Sequence, residues 1–204
     1  AVYSCAGRIY RSQGLSRPAV DCFFRAGDFA GILSCDLTCL ITENFSGTSY
    51  TGIATRVLSD CPEETQEKYP LSLLQLCYAL FADCDFDGFR RHMDRIRIII
   101  DKKNDPQLTG EWYLMQALSF FPEPEGMRRM YIEAEKLMSE PSRIFVKEEP
   151  FMFGCTSMWY LFYSRAGAMM KTADALAETM SVYNRLTGGH GAGAAELYLG
   201  EVLS

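Results

Sequence analysis

The chain has 204 residues, of which 48% are hydrophobic and 23% charged, with a formal net charge of −6 and a pI near 5.0. That is enough apolar material for a sizeable core and too much for a disordered tail, and the acidic balance repels a phosphate backbone, which argues against nucleic-acid binding by the chain as a whole. No window approaches the ~18 uninterrupted apolar residues of a membrane span, and no basic-then-apolar leader opens the sequence, so no membrane partner is expected.

Taken in chain order, the apolar spacing and the turn residues predict helices near 3–13, 16–26, 28–42, 48–59, 70–83, 86–103, 107–120, 124–139, 150–165, 168–187 and 192–204. Start signals are Ser16 ahead of Arg17-Pro18, Asp60-Cys61 ahead of Pro62, and Asp105 ahead of Pro106. In each, a side-chain acceptor precedes a proline that the first turn tolerates. Stop signals are Gly14, Gly27, Gly167 and Gly188-Gly189. Leu73, Leu76, Cys77, Leu80 and Phe81 form one apolar stripe, and Phe89, Met93, Ile96 and Ile100 form another. The β-branched run from Ile96 to Ile100 is flanked by Arg95, Asp101 and Lys102 and interrupted by Arg97, which fits the polar face of a helix better than a hairpin. No credible strand emerges, and the predicted fold class is all-α.

Eight cysteines, at positions 5, 22, 35, 39, 61, 77, 84 and 155, are scattered through these helical patterns and read as reduced core thiols of a cytoplasmic protein. The sequence opens at Ala1-Val2-Tyr3 without a methionine and closes inside a helical pattern, as a piece cut from a longer chain would.

The turns repeat. Tyr10-Arg11-Ser12-Gln13-Gly14-Leu15-Ser16 and Tyr163-Ser164-Arg165-Ala166-Gly167-Ala168-Met169 share an aromatic, a glycine turn and a small residue, and Phe81 to Phe89 fits the same frame with Cys84 in the glycine's place. From residue 70 onward the helix pairs recur at roughly 40 residues, the period of a helical solenoid. Stacked antiparallel pairs, each burying its apolar face on the next, follow. The predicted organisation is an N-terminal helical segment, 1–69, leading into an array of pairs, 70–204, with the last pair truncated.

The run from Ala6 through Tyr10, Gly14, Ala19 and Ala26-Gly27-Asp28 to Phe29 resembles the segment of MalT-like, LuxR-type transcriptional regulators that leads from their ATPase part into a tetratricopeptide-like array. The helix pairs joined by Asp85-Phe86-Asp87-Gly88 and by Gly167-Ala168 look like that array. The resemblance implies a right-handed tetratricopeptide-like solenoid that serves as the central sensor or scaffold of such a regulator and binds an inducer small molecule or a protein or peptide partner. The ATPase and helix-turn-helix parts of the parent chain are absent here: there is no Gly-x-x-x-x-Gly-Lys-[Ser/Thr] and no evident closing helix-turn-helix. Homo-oligomers are compatible with this role. The rival reading is a stand-alone tetratricopeptide adaptor, and an all-α enzyme stands third.

Chemical motifs are sparse. Asp83-x-Asp85-x-Asp87-Gly88 with Asp94 approaches a calcium loop, but Phe86, Phe89, Met93 and Ile96 keep helical spacing through it, which makes a helix-hairpin turn capped by Asp85 the better reading. Gly188-Gly189-His190-Gly191-Ala192-Gly193 lacks the preceding strand and following lysine of a phosphate loop and reads as a flexible turn between helices. Cys35 and Cys39 lie four apart on one predicted helix with no second pair to complete a zinc tetrad. His92 and His190 are the only histidines and form no catalytic pair with a nucleophile, so neither catalytic residues, metal nor cofactor is expected in this segment. Arg90, Arg91, Arg95, Arg97, Lys102 and Lys103, interleaved with Asp94 and Asp101, read as an ion-paired solvated face, not a nucleic-acid stripe.

Recognition is expected on the first helix of each later pair, 70–83, 107–120 and 150–165. Off the leucine stripes these helices carry Gln75, Tyr78, Trp112, Tyr113, Gln116, Trp159, Tyr160 and Tyr163. Each joins a flat or short apolar body to a hydrogen-bonding tip, the combination a partly wet pocket uses.

Overall fold

The computed structural model describes residues 1–38, 40, 41, 43, 45, 47–149, 151 and 167–203. Among them the fold is all-helical, and the only extended pairing is an isolated bridge between Phe45 and Thr48. No helix among the described residues is long and apolar enough to cross a membrane. The chain forms two compact units, Ala1–Lys103 and Asn104–Ser204.

The first unit contains α1 (Val2–Ser12), α2 (Ser16–Ala26), α3 (Phe29–Leu33), α4 (Tyr50–Asp60), α5 (Glu63–Gln66), α6 (Pro70–Ala82) and α7 (Phe86–Asp101). Helix α2 packs against both α1 and α3, which also touch each other. The centre of this group is Phe23, only 1% exposed. A Cβ built on Gly7 or on Gly31 would lie 2.7 or 2.4 Å from the Phe23 ring, so α1 and α3 close on it only because neither residue has a side chain. Further along, α4 packs on α6 and α6 on α7, over a core of Ile53, Val57, Leu73, Leu76, Leu80, Phe89, Met93 and Ile96.

Three turns of this unit share one hydrogen-bond pattern. Leu15 N donates to Tyr10 O, Asp28 N to Phe23 O and Asp85 N to Leu80 O, at 3.0, 2.9 and 2.9 Å. The residues before those donors, Gly14, Gly27 and Cys84, have φ of 72°, 67° and 62°. This is the Schellman ending, in which one left-handed residue lets the chain reverse while the last carbonyls stay paired. Cys84 therefore stands where the turn wants glycine, in a conformation that strains a residue with a Cβ. The next helix starts the same way in two of the three cases: Asp28 accepts from Gly31 N at 2.8 Å, and Asp85 from Gly88 N at 2.9 Å.

Several expected boundaries move. The helix predicted over 28–42 stops at Leu33. Ser34 Oγ and Cys35 Sγ both donate back to Gly31 O, Thr38 N donates to the Asp36 side chain at 3.0 Å, and Ser72 Oγ takes up the Leu33 carbonyl at 2.7 Å. These local polar bonds offer the backbone an alternative to another helical turn. Cys35 is consequently not on a helix, and Cys39 lies outside the described residues. Ser16 is the first helical residue of α2 and gives no cap bond. The signal at Asp60-Cys61-Pro62 opens only the single turn of α5, closed by Gln66 Nε2 donating to Cys61 O at 2.7 Å. Nor are all the thiols in the core: Cys35, Cys61 and Cys77 are buried, Cys22 is half-buried, and Cys5 and Cys84 are exposed.

The second unit contains α8 (Pro106–Gln116), a 3-10 turn (Ala117–Phe120), α9 (Pro124–Glu135), α10 (Met169–Leu186) and α11 (Ala194–Leu203). Helix α8 packs on α9, α9 on α10, and α10 on α11. Arg185 pairs with Glu135 at 2.7 Å across α9 and α10, Arg128 pairs with Glu178, and below them Thr179 Oγ1 donates to Pro124 O at 3.1 Å. The helix predicted over 150–165 falls outside the described residues apart from Phe151.

Candidate functional site

Helix α8 begins where Asp105 accepts from Leu108 N at 3.1 Å, with Pro106 in the first turn. One face, carrying Leu108, Glu111, Leu114 and Met115, is buried. On the other, Thr109, Trp112, Tyr113 and Gln116 are all half-buried. The Trp112 and Tyr113 rings meet edge to face at 5.2 Å. Further along the chain, Gln116 Oε1 and Ser119 Oγ are both shielded from water and have no hydrogen-bond partner among the described residues. Buried polar atoms are nearly always paired, because leaving one unpaired costs about 1–3 kcal/mol. Gln116 follows the two half-buried rings by one turn on the same helix face, and Ser119 lies on the 3-10 turn that continues α8.

Of the residues singled out by sequence, Trp112, Tyr113 and Gln116 thus share this face. Gln75 and Tyr78 lie one turn apart on α6 in the first unit, both half-buried, with Gln75 Nε2 donating to Thr38 Oγ1 at 3.3 Å. Trp159, Tyr160 and Tyr163 lie outside the described residues.

Two polar centres in the second unit were not legible. Glu111, 0% exposed, accepts from Ser142 Oγ and Arg143 N, both at 2.7 Å, with Arg143 Nε at 3.7 Å. Burial raises its carboxyl above the ordinary value, and the bonds from Arg143 and Ser142 oppose that rise. Ser142 Oγ in turn accepts from Ile144 N and Phe145 N, so one carboxylate organises the segment after α9. The second centre is His190, 7% exposed, whose Nδ1 lies 2.6 Å from Tyr183 Oη. The glycine-rich turn that reads as flexible therefore holds a buried anchor. The only sequence signal for Glu111 was an acid on the apolar stripe of α8.

Residues 83–94 form a turn and the start of α7, with Asp85 as its cap. Asp87 and Asp94 are helical there, so the segment is not folded as a calcium loop. Among the described residues no three His, Cys, Asp or Glu side chains gather as a metal site. On α7, Arg90 pairs with Asp87 and Arg97 with Asp101, and at its C-terminal cap Lys102 pairs with Glu67.

The described residues define a class no narrower than an all-helical protein with two half-buried aromatic rings on one helix face. No family model, curated protein or solved structure matches the chain.

Proposed function

We propose that this chain is the central sensor or scaffold segment of a LuxR-type regulator of the MalT-like group, and that it works by binding an inducer or partner, not by catalysis. The observation that carries the binding role is the α8 face: Gln116 Oε1 and Ser119 Oγ buried without partners next to Trp112 and Tyr113. A ligand with hydrogen-bond donors would pair the Gln116 and Ser119 oxygens, recovering the desolvation cost of leaving them unpaired. The family assignment is supported by its own segments, since the Gly14, Gly27 and Cys84 turns recur with one bonding pattern and lead between packed helices. Extended through the later helices, that recurrence would build the right-handed tetratricopeptide-like solenoid. Partners are therefore a small inducer or a peptide, together with the ATPase and DNA-binding parts of a parent regulator.

Trp112 is one of two tryptophans, which makes emission a direct report on the face. Titration of the chain with a panel of small metabolites and short peptides is expected to yield a saturable shift in tryptophan emission that Gln116→Leu abolishes. No saturable response up to millimolar concentration, or one that Gln116→Leu leaves intact, contradicts the assignment.

A further inference from the structure

The turn between α10 and α11 plays no part in the α8 face. Gly188, Gly189 and Gly193 in it have φ of 62°, 99° and 85°. A run this rich in glycine has little backbone preference of its own, so contacts must set its shape. They converge on His190. Its imidazole meets Tyr183 Oη at 2.6 Å, and the Phe145 and Phe151 rings stand 5.8 and 5.6 Å away. The next residue, Gly191, lies so close to α10 that a Cβ there would overlap the Met180 methyl at 2.4 Å. The turn is thus pressed onto α10, tied to it by the His190 side chain and by Gly189 N donating to Asn184 O at 2.9 Å.

We propose that the Tyr183–His190 hydrogen bond is a proton-operated latch, which holds this turn and α11 against α10 while the imidazole is neutral and releases them when it is protonated. With the ring hydrogen on Nε2, Nδ1 of the neutral imidazole accepts the phenol proton. A proton arriving at Nδ1 makes that atom a donor, and the contact then survives only reversed, with the phenol hydrogen turned away from the ring and the phenol oxygen accepting. The positive charge would also sit among aromatic rings. Tyr183 of α10 is the titratable side chain that hydrogen-bonds the imidazole. Phe145 and Phe151 come from the segment after α9, and Tyr131 of α9 meets Tyr183 at 5.4 Å. On α11, Tyr198 interacts electrostatically with Tyr131 and Glu201. Burial lowers the affinity of the His190 ring for a proton, and the segment that carries Phe145 and Phe151 also holds the buried Glu149. The charged ring is better solvated outside, and the flanking glycines let the turn carry it there.

Hydrogen exchange of the intact chain at pH 7.5 and 5.0, corrected for intrinsic rates, combined with NMR titration of the His190 ring, tests this. The ring is expected to titrate below 6.5, and amides 188–198 to lose about tenfold in protection while those of α8 and α9 keep theirs. His190→Asn keeps an acceptor near the Nδ1 position and takes no proton, so its protection should not change with pH; Tyr183→Phe should already lower protection at pH 7.5. If His190→Asn loosens the turn at both pH values, the wild-type profile still decides. Unchanged protection of 188–198 across the ring's titration overturns the latch, and so does a pH-dependent loss that persists in His190→Asn.

Discussion

Helices α1 to α3 and the second unit solve the same problem, holding short helices together, by opposite means. Around Phe23 the contact is apolar and close, made possible by Gly7 and Gly31. In the second unit the segments after α9 and α10 are fixed by buried polar centres, Glu111 with Ser142 and Arg143, and His190 with Tyr183. An apolar contact is indifferent to protons, whereas a buried carboxyl or imidazole couples folding to pH. The second arrangement can therefore be switched, and the first can only be broken.

The largest effect should come from breaking the first. Phe23→Ala empties the space against Gly7 of α1 and Gly31 of α3, which have no side chains to refill it, and should cost about 3–5 kcal/mol in denaturant unfolding. That loss should be the same at pH 5 and pH 7. A loss that varied strongly with pH would erase the contrast.

Next comes Glu111→Ala, which strands the Ser142 hydroxyl and the Arg143 N–H and should cost about 2–3 kcal/mol at pH 7. Its pH dependence has a definite sign. Because the folded value lies above the ordinary 4.5, folding favours the protonated acid. The stabilising share is therefore full below 4.5 and is lost as pH rises through the folded value. Glu111→Gln should abolish this share. Unfolding curves of the two chains that shift in parallel between pH 4.5 and 7 would show that Glu111 does not titrate in that window.

Cys84→Gly should act in the other direction. The residue is exposed at φ 62°, so removing its Cβ relieves left-handed strain and should raise stability by about 1 kcal/mol. No gain would mean that Cys84 makes a compensating contact.

What sequence could reveal follows from the range of each interaction. Helices α6 and α7 and the caps at Asp85 and Asp105 were legible because periodicity and capping act within a few residues. The end of α3 was not, because the Ser34, Cys35 and Asp36 bonds compete with an apolar pattern that continues through Leu37 and Leu40. Glu111 meets its partner 31 residues away, a distance no local pattern spans. His190 meets Tyr183 only seven residues away, but through a glycine run whose course the sequence does not set. For the candidate site, helical spacing put Trp112, Tyr113 and Gln116 on one face. That Gln116 Oε1 is buried and unpaired is a fact of packing that spacing cannot express.

The claim that the α8 face is shaped for a ligand and not for stability is tested most directly by the unfolding free energy of Gln116→Leu without ligand. Removing an unpaired buried acceptor while keeping the volume should leave stability unchanged or raise it by up to about 1 kcal/mol. A loss of about 2 kcal/mol or more would show that Gln116 supports the fold, and would contradict the reading of this face as a binding surface.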